Sequence, residues 1–138
     1  GNTLTQRCFR TNKNEVIVKM NIEGMVDGQK AGLCHYSKSY AMVGVRQSGK
    51  DRNLEFQTNK EKITGPAIKG NKVWIKSVWG LDGKSQFSYS TDGRKFTPFG
   101  EVYQLEWGYY RGSRIGIYCF NNIADAGYID VDEFIYLY

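Results

Sequence analysis

The sequence predicts an all-β protein built as a β-sandwich or a closed barrel. Apolar and polar residues alternate with a period of two along most of the chain, which is the pattern of half-buried strands. Three Asp-Gly pairs, at residues 27–28, 82–83 and 92–93, separate such segments, and these pairs are typical of tight hairpin turns. No segment has a sustained apolar stripe at helical spacing. About ten strands joined by frequent turns fit a sandwich or a barrel.

The alternation places the predicted strands in order along the chain. They cover residues 4–9, 16–22, 30–35, 40–47, 54–57, 73–78, 84–90, 95–97, 114–120 and 128–136. In the second of them, for example, Val18 and Met20 flank Lys19, so one face is buried and the other is solvated. We expect Pro66 and Pro98 to lie in connections, where proline removes no hydrogen bond from a sheet.

Length and composition indicate one soluble globular domain over residues 1–138. The apolar fraction is 41% and the charged fraction 24%, both ordinary values. No apolar run approaches the ~20 residues of a membrane-spanning helix, so we expect no membrane partner. The net charge of +5 raises the question of nucleic acid, but 19 basic and 14 acidic residues are interleaved without a long block of one sign. A solvated surface is the favoured interpretation, with no nucleic-acid partner.

The cysteines and the single histidine do not indicate a reactive site. Cys8, Cys34 and Cys119 have no short metal-ligand spacing, and an odd number leaves at least one thiol unpaired within the chain. We expect neither a disulfide nor a zinc site. His35 alternates with Leu33 on a predicted strand, which favours a packed or surface position over a catalytic one.

Acidic residues near the C-terminus are the only candidates for glycosidase or metal chemistry. Asp125, Asp130, Asp132 and Glu133 are close in sequence, but they fit a turn and the solvated face of a strand. A glycosidase needs two carboxyl groups in distinct environments, so the chain alone is predicted to have no catalytic residues. Asp130 and Asp132 remain candidate ligands for calcium, which prefers carboxylate and carbonyl oxygens, and no other cofactor is indicated.

The segment 107–112 is the most distinctive part of the chain. It combines Trp107, Tyr109, Tyr110 and Arg111 with two glycines, immediately before a predicted strand. Strand interiors rarely hold so much glycine, so we expect a loop or a strand end. Flat rings with a polar edge suit the C–H faces and hydroxyls of a sugar. An aromatic corner folded into the core is the alternative interpretation.

Five sequence blocks in order resemble the C-terminal domain of glycoside hydrolase family 43. They are NTLTQR at 2–7, DGQKAGL at 27–33, FSYSTDGRKFTPFG at 87–100, WGYYRGSRIG at 107–116 and AGYIDVD at 126–132. Together they span essentially the whole chain. A single Ser-x-Asp-Gly turn is unspecific, whereas five blocks in sequence are a strong signal.

The resemblance implies a concanavalin A-like jelly roll of two stacked antiparallel sheets. In that family the domain follows an N-terminal catalytic β-propeller, in enzymes that are chiefly β-xylosidases and α-L-arabinofuranosidases. The catalytic carboxylates belong to the propeller. Residues 1–138 would then be a C-terminal fragment of a longer glycosidase, with the propeller and a plant cell-wall oligosaccharide as partners. The compartment and the oligomeric state are left open.

The resemblance also implies a role for the segment 107–112. In the β-xylosidases of the family, the corresponding loop reaches back to the propeller and helps to close the substrate pocket. Tyr110 matches the aromatic residue at its tip, with Tyr109 beside it, Arg111 as a polar contact and Trp107 at its start. Packing on the propeller surface, without a pocket role, is the alternative.

Two further functions remain open on the sequence. An independent carbohydrate-binding module would use Trp74, Trp79, Tyr36 and Tyr40, although the alternation favours a core position for both tryptophans. A purely structural role, in stabilising the propeller or in assembly, would equally leave an aromatic patch on the isolated domain.

Overall fold

The computed structural model describes residues 2–106, 113–121, 123 and 127–138, with side chains from Thr5 onward. Within these residues there are twelve strands and no helix, which confirms the all-β prediction. In chain order the strands are β1 (Asn2–Arg7), β2 (Asn14–Asn21), β3 (Gln29–Tyr36), β4 (Tyr40–Ser48), β5 (Asp51–Thr58), β6 (Lys62–Ala67), β7 (Lys72–Trp79), β8 (Lys84–Ser90), β9 (Thr97–Pro98), β10 (Tyr103–Gln104), β11 (Arg114–Asn121) and β12 (Asp130–Leu137). The described part of the chain contains no helix long and apolar enough to cross a membrane.

The strands form two antiparallel sheets. The first sheet has the order β1-β11-β3-β4-β5-β6, and the second has the order β10-β8-β7-β2-β12, with β9 paired to β8. β1 and β11 lie side by side in the first sheet, as do β2 and β12 in the second, although each pair is far apart in sequence. The chain therefore winds between the sheets, as in a concanavalin A-like jelly roll.

The Asp-Gly pairs lie at turns, as predicted. Gly83, between β7 and β8, has φ of 71°, and Gly93, between β8 and β9, has φ of 77°. Side chains with a Cβ rarely adopt this conformation, which accounts for glycine at both positions. Asp92 reinforces its turn by accepting hydrogen bonds from the backbone N–H groups of Arg94, at 2.8 Å, and Lys95, at 3.0 Å. These bonds hold the pKa of Asp92 at about 2.

Two short edge elements and both prolines depart from the prediction. Neither β6 nor β10 was among the strands predicted from the sequence pattern. Pro66 lies in β6 and Pro98 in β9, so placing both prolines in connections was wrong. The physical reason is that both strands are at sheet edges, and the pairing of β5 with β6 is irregular around Pro66. Proline is tolerated at edges and bulges because the missing N–H breaks no regular ladder there.

A core of fully buried apolar side chains fills the space between the sheets. Its largest members from the two sheets include Phe56, Leu33 and Ile115 on one side and Phe87 and Met20 on the other. Rings from opposite sheets meet, since the Phe56 and Phe87 centroids are 6.4 Å apart. This packing fixes which face of every strand is available for a site.

A chain of polar groups crosses the core at His35. The His35 Nε2 lies 2.7 Å from the Ser77 Oγ, which lies 2.6 Å from the Ser85 Oγ, and the Cys8 Sγ lies 3.6 Å from the His35 Nδ1. Burial lowers the pKa of His35 to about 3 and raises that of Cys8 to about 12. Both groups are neutral at physiological pH. His35 is therefore a packed residue, as expected, and it has no access to a substrate.

Candidate functional site

The aromatic segment 107–112 lies outside the described residues. The roles predicted for Trp107, Tyr109, Tyr110 and Arg111 therefore stay predictions. The residues on both sides of the segment are described, and they show where its two ends are held.

Ser113 and Glu106, the residues that flank the segment, are hydrogen-bonded to each other. The Glu106 N–H donates to the Ser113 Oγ at 2.9 Å, and the Ser113 hydroxyl lies 3.3 Å from the Glu106 carbonyl oxygen. The Ser113 carbonyl accepts from the Cys8 N–H at 2.9 Å, and Ser113 is only 1% exposed. The Glu106 carboxylate is fixed in turn by the Ser39 hydroxyl at 2.8 Å. The two residues that flank the segment are therefore held next to each other by hydrogen bonds, and one of them, Ser113, is buried.

An open cavity of about 620 Å³ lies at this base, with Glu106 in its wall. Tyr40, Phe56 and Tyr103 provide much of the remaining wall. Glu61 on the rim has a raised pKa, chiefly because its carboxyl group hydrogen-bonds that of Glu101. The cavity is therefore lined by rings and bordered by acidic groups, a combination that suits a polar ligand or a partner surface.

The two calcium candidates lie on β12. The Asp132 carboxylate accepts a bond from the Lys72 ammonium group at 3.0 Å, and Asp130 is exposed opposite Asn21. Within the described residues no group of three or more potential metal ligands comes together. Calcium binding at these residues stays a prediction.

The four rings considered for a binding module do not share a surface. Trp79 is 2% exposed in the core and donates to the Phe9 carbonyl at 3.1 Å. Trp74 is half-buried on the outer face of the second sheet, beneath the Lys19 ammonium group. The expectation of a core position is thus confirmed for Trp79 and wrong for Trp74. Side chains alternate between the two faces of β7, and Trp74 lies on the face that points away from the core. Tyr36 and Tyr40 face each other on the first sheet.

The outer face of the first sheet holds a buried polar network that the sequence did not indicate. The Lys30 ammonium group lies 2.7 Å from a Glu55 oxygen and donates to the Gln57 Oε1 at 2.9 Å. Arg46 approaches the other Glu55 oxygen at 3.4 Å, and the Gln57 amide contacts the Tyr40 hydroxyl at 3.3 Å. Lys30 and Glu55 are 4% and 5% exposed although they point away from the core. Lys30 lies near the start of β3, where its sequence position gives no sign of the network.

Tyr118 lies beside this network, and its side chain packs over Gly32 and Gly44. A Cβ at Gly44 would come within 2.5 Å of the Tyr118 hydroxyl, and one at Gly32 within 2.9 Å. The glycines on β3 and β4 therefore leave the space that the Tyr118 side chain occupies. Tyr118 is 6% exposed, and its pKa is raised well above the usual value by burial and by the nearby Cys34 and Glu55.

Two antiparallel sheets with this strand order define the chain as a concanavalin A-like β-sandwich. A family model described as the beta-xylosidase C-terminal concanavalin A-like domain matches residues 1–137. The chain belongs to this family.

Known proteins of several organisms share the domain. The chain is 33% identical over 140 residues to a beta-xylosidase of Formosa agariphila. Among solved structures, it is similar to a bifunctional GH43-CE protein of Bacteroides eggerthii, with a TM-score of 0.88 and 24% identity over 99% of this chain. It is also similar to an engineered GH43 glycoside hydrolase with endo-xylanase and exo-arabinofuranosidase activity, with a TM-score of 0.86 and 23% identity over 98% of this chain.

These relatives are much longer than the chain. It spans 24% of the Formosa beta-xylosidase, and 19% and 30% of the two solved chains. In the relatives, the matched domain is therefore one part of a larger glycoside hydrolase. The family and the accessory character of the domain agree with the resemblance drawn from the sequence.

Proposed function

We propose that the chain is the C-terminal accessory domain of a xylan-degrading family 43 glycosidase, and that it lends the segment 107–112 to the substrate pocket of a catalytic propeller. Family membership supports the accessory role. The propeller, the xylan-derived substrate and the pocket role of Tyr110, Tyr109, Arg111 and Trp107 are proposals.

The attachment of the segment is the observation that carries this proposal. Ser113 joins both ends of the segment by hydrogen bonds and is itself buried. A loop that leaves from a rigid base can place its tip precisely on a neighbouring domain. Positioning a terminal sugar and excluding water would then lower the barrier through orientation.

The proposal predicts a kinetic effect of Tyr110 in the longer enzyme. Tyr110→Ala should lower kcat/KM for an aryl β-xyloside by about tenfold, which corresponds to ~1.4 kcal/mol of lost transition-state stabilisation. Tyr110→Phe should retain most of the activity if the ring itself is the contact. Steady-state kinetics on the full-length proteins would measure both.

Tyr128→Ala is the matched control, because it removes the same side chain from a position outside the segment 107–112: Tyr128 is 62% exposed and lies in the connection before β12. It should leave kcat/KM unchanged. A folded Tyr110→Ala enzyme with normal kcat/KM would contradict the pocket role and leave only interdomain packing.

A further inference from the structure

The outer face of the first sheet carries an unusual combination of burial and polarity. By strand register, Tyr118, Gly32, Gly44 and Glu55 form one row across β11, β3, β4 and β5. The ion pair of Lys30 with Glu55 lies on this face, at 2.7 Å. Buried charges are costly unless they are paired and held by further hydrogen bonds. The network is therefore a fixed arrangement of polar groups rather than a mobile surface.

The Tyr118 hydroxyl has no hydrogen-bond partner among the described residues, although its side chain is 6% exposed. Buried tyrosine hydroxyls usually have such a partner. The described side-chain atoms that are both sealed from solvent and unpaired are the Thr11 Oγ1 and the Ser37 Oγ. The Tyr118 hydroxyl is not one of these atoms. Among the described residues it is therefore a donor held in place without an acceptor.

Rings flank this row along the strands. Tyr36 and Tyr40, a register pair on β3 and β4, are half-buried at one end. Phe120 lies at the other end, with its centroid 5.8 Å from that of Tyr118. From the Tyr40 row to the Arg46 row is six residues, or about 20 Å of strand. This length suits a short oligosaccharide rather than a single sugar.

The charge of this face favours an acidic ligand. The side chains that register places on it include five basic residues, namely Arg7, Lys30, Arg46, Lys62 and Arg114, against Asp51 and Glu55. Five positive and two negative charges leave an excess of three. Arg46 has a 44% exposed side chain and lies beside the network, so it can pair with a carboxylate from solvent.

We propose that the outer face of the first sheet is a second carbohydrate site, which binds a short oligosaccharide bearing a uronate carboxylate. Tyr118 donates to a sugar hydroxyl, Arg46 binds the carboxylate, and Tyr36 and Tyr40 pack on sugar rings. The site shares Tyr40 with the cavity at the base of the segment 107–112, but it does not include the segment and does not depend on the pocket role proposed for it. Only the use of a xylan-derived probe rests on the proposed function.

Calorimetric titration of the 138-residue chain tests the proposal. The probes are xylotriose carrying a methylglucuronic acid branch, unbranched xylotetraose, and trigalacturonate. We expect the branched acid to bind and the neutral xylotetraose to bind at least tenfold more weakly. Raising the salt concentration should weaken the acid's affinity, since an exposed ion pair is screened. Binding of trigalacturonate alone would keep the acidic-sugar site and remove its link with xylan.

Three substitutions locate the site. Arg46→Gln should weaken binding of the acid about tenfold, and Tyr118→Phe about fivefold, because each removes one contact. Lys84→Gln is the matched control: it also removes one positive charge, but from the exposed first residue of β8 on the other sheet, and it should leave affinity unchanged.

Three results would overturn the proposal. They are no binding of either acidic probe, equal affinity for acidic and neutral probes, and affinities that Arg46→Gln and Tyr118→Phe leave unchanged in folded protein. None of these results bears on the kinetics of Tyr110 variants, so the two proposals fail separately.

Discussion

Strand β3 buries both of its faces, but by different means. Its inner side chains, including Leu33 and His35, are fully covered by the second sheet. Its outer side chains Lys30 and Cys34, at 4% and 7% exposure, lie on the face that Tyr118 and Glu55 share. The inner face is closed to any ligand because a whole sheet lies on it. The outer face carries the Arg46 side chain, which is 44% exposed, so a ligand can add to it there.

The polar groups on the two faces are also stabilised differently. On the inner face, His35 is neutral and bound to serine and cysteine side chains. On the outer face, Lys30 lies in an ion pair with Glu55. Low exposure alone therefore does not distinguish a structural group from one in a candidate site. The two kinds of group are distinguished by whether a second sheet covers them and by whether a donor lacks an acceptor among the described residues.

The largest expected effect is on the outer-face ion pair. Glu55→Leu should destabilise the domain by about 3–5 kcal/mol, because it leaves the buried Lys30 charge without its carboxylate. Lys30→Met should cost less, since Glu55 would retain Arg46 at 3.4 Å. The double variant Lys30→Met/Glu55→Leu should recover much of the loss. Urea unfolding of the four proteins measures this cycle, and additive losses would show that the pair is not coupled.

A second test concerns the inner face and pH. The pKa of His35 is about 3 in the folded protein, against an ordinary 6.5. The unfolded chain therefore binds a proton that the folded chain excludes. This contribution to stability is complete above pH ~6.5 and is lost as pH falls toward 3. Lowering the pH from 7 to 5 should cost about 2 kcal/mol from this group.

His35→Gln should remove that pH dependence, whatever its effect at pH 7. Urea unfolding at pH 7 and pH 5 gives the comparison. Asp92 does not interfere, because its lowered pKa affects stability only below pH ~4. An unchanged pH dependence in the variant would mean that another group is responsible.

The smallest effects contrast two tyrosines. The inner Tyr136 hydroxyl accepts from the Phe9 N–H at 2.8 Å and donates to the Asn14 Oδ1 at 2.9 Å. Tyr136→Phe should therefore cost about 1–2 kcal/mol. Tyr118→Phe should change the unfolding free energy by less than ~0.5 kcal/mol, since its hydroxyl has no partner among the described residues. Thermal denaturation of both variants checks this, and a large loss at Tyr118 would indicate a structural hydroxyl.

Local sequence patterns were sufficient to predict the elements that depend on neighbouring residues alone, namely the central strands and the tight turns. Apolar and polar residues alternate along β2 and β7. This alternation predicted strands, because a strand with one buried face needs an apolar residue at every second position. Asp82-Gly83 and Asp92-Gly93 predicted turns because positive φ is a property of single residues. The edge strands β6 and β10 were missed, and Pro66 was misplaced, because edge pairing depends on a neighbouring strand and not on the strand's own sequence.

The candidate sites divide in the same way. Five ordered blocks in the sequence were sufficient to indicate the family, and composition alone marked the segment 107–112. Only the tertiary structure placed Lys30 from β3 beside Glu55 from β5, and Tyr118 from β11 over Gly32 and Gly44. These residues are far apart in sequence, and sheet register alone brings them together. Register is set by the packing of the whole sandwich, so no local pattern could have revealed the network or the Tyr118 hydroxyl beside it.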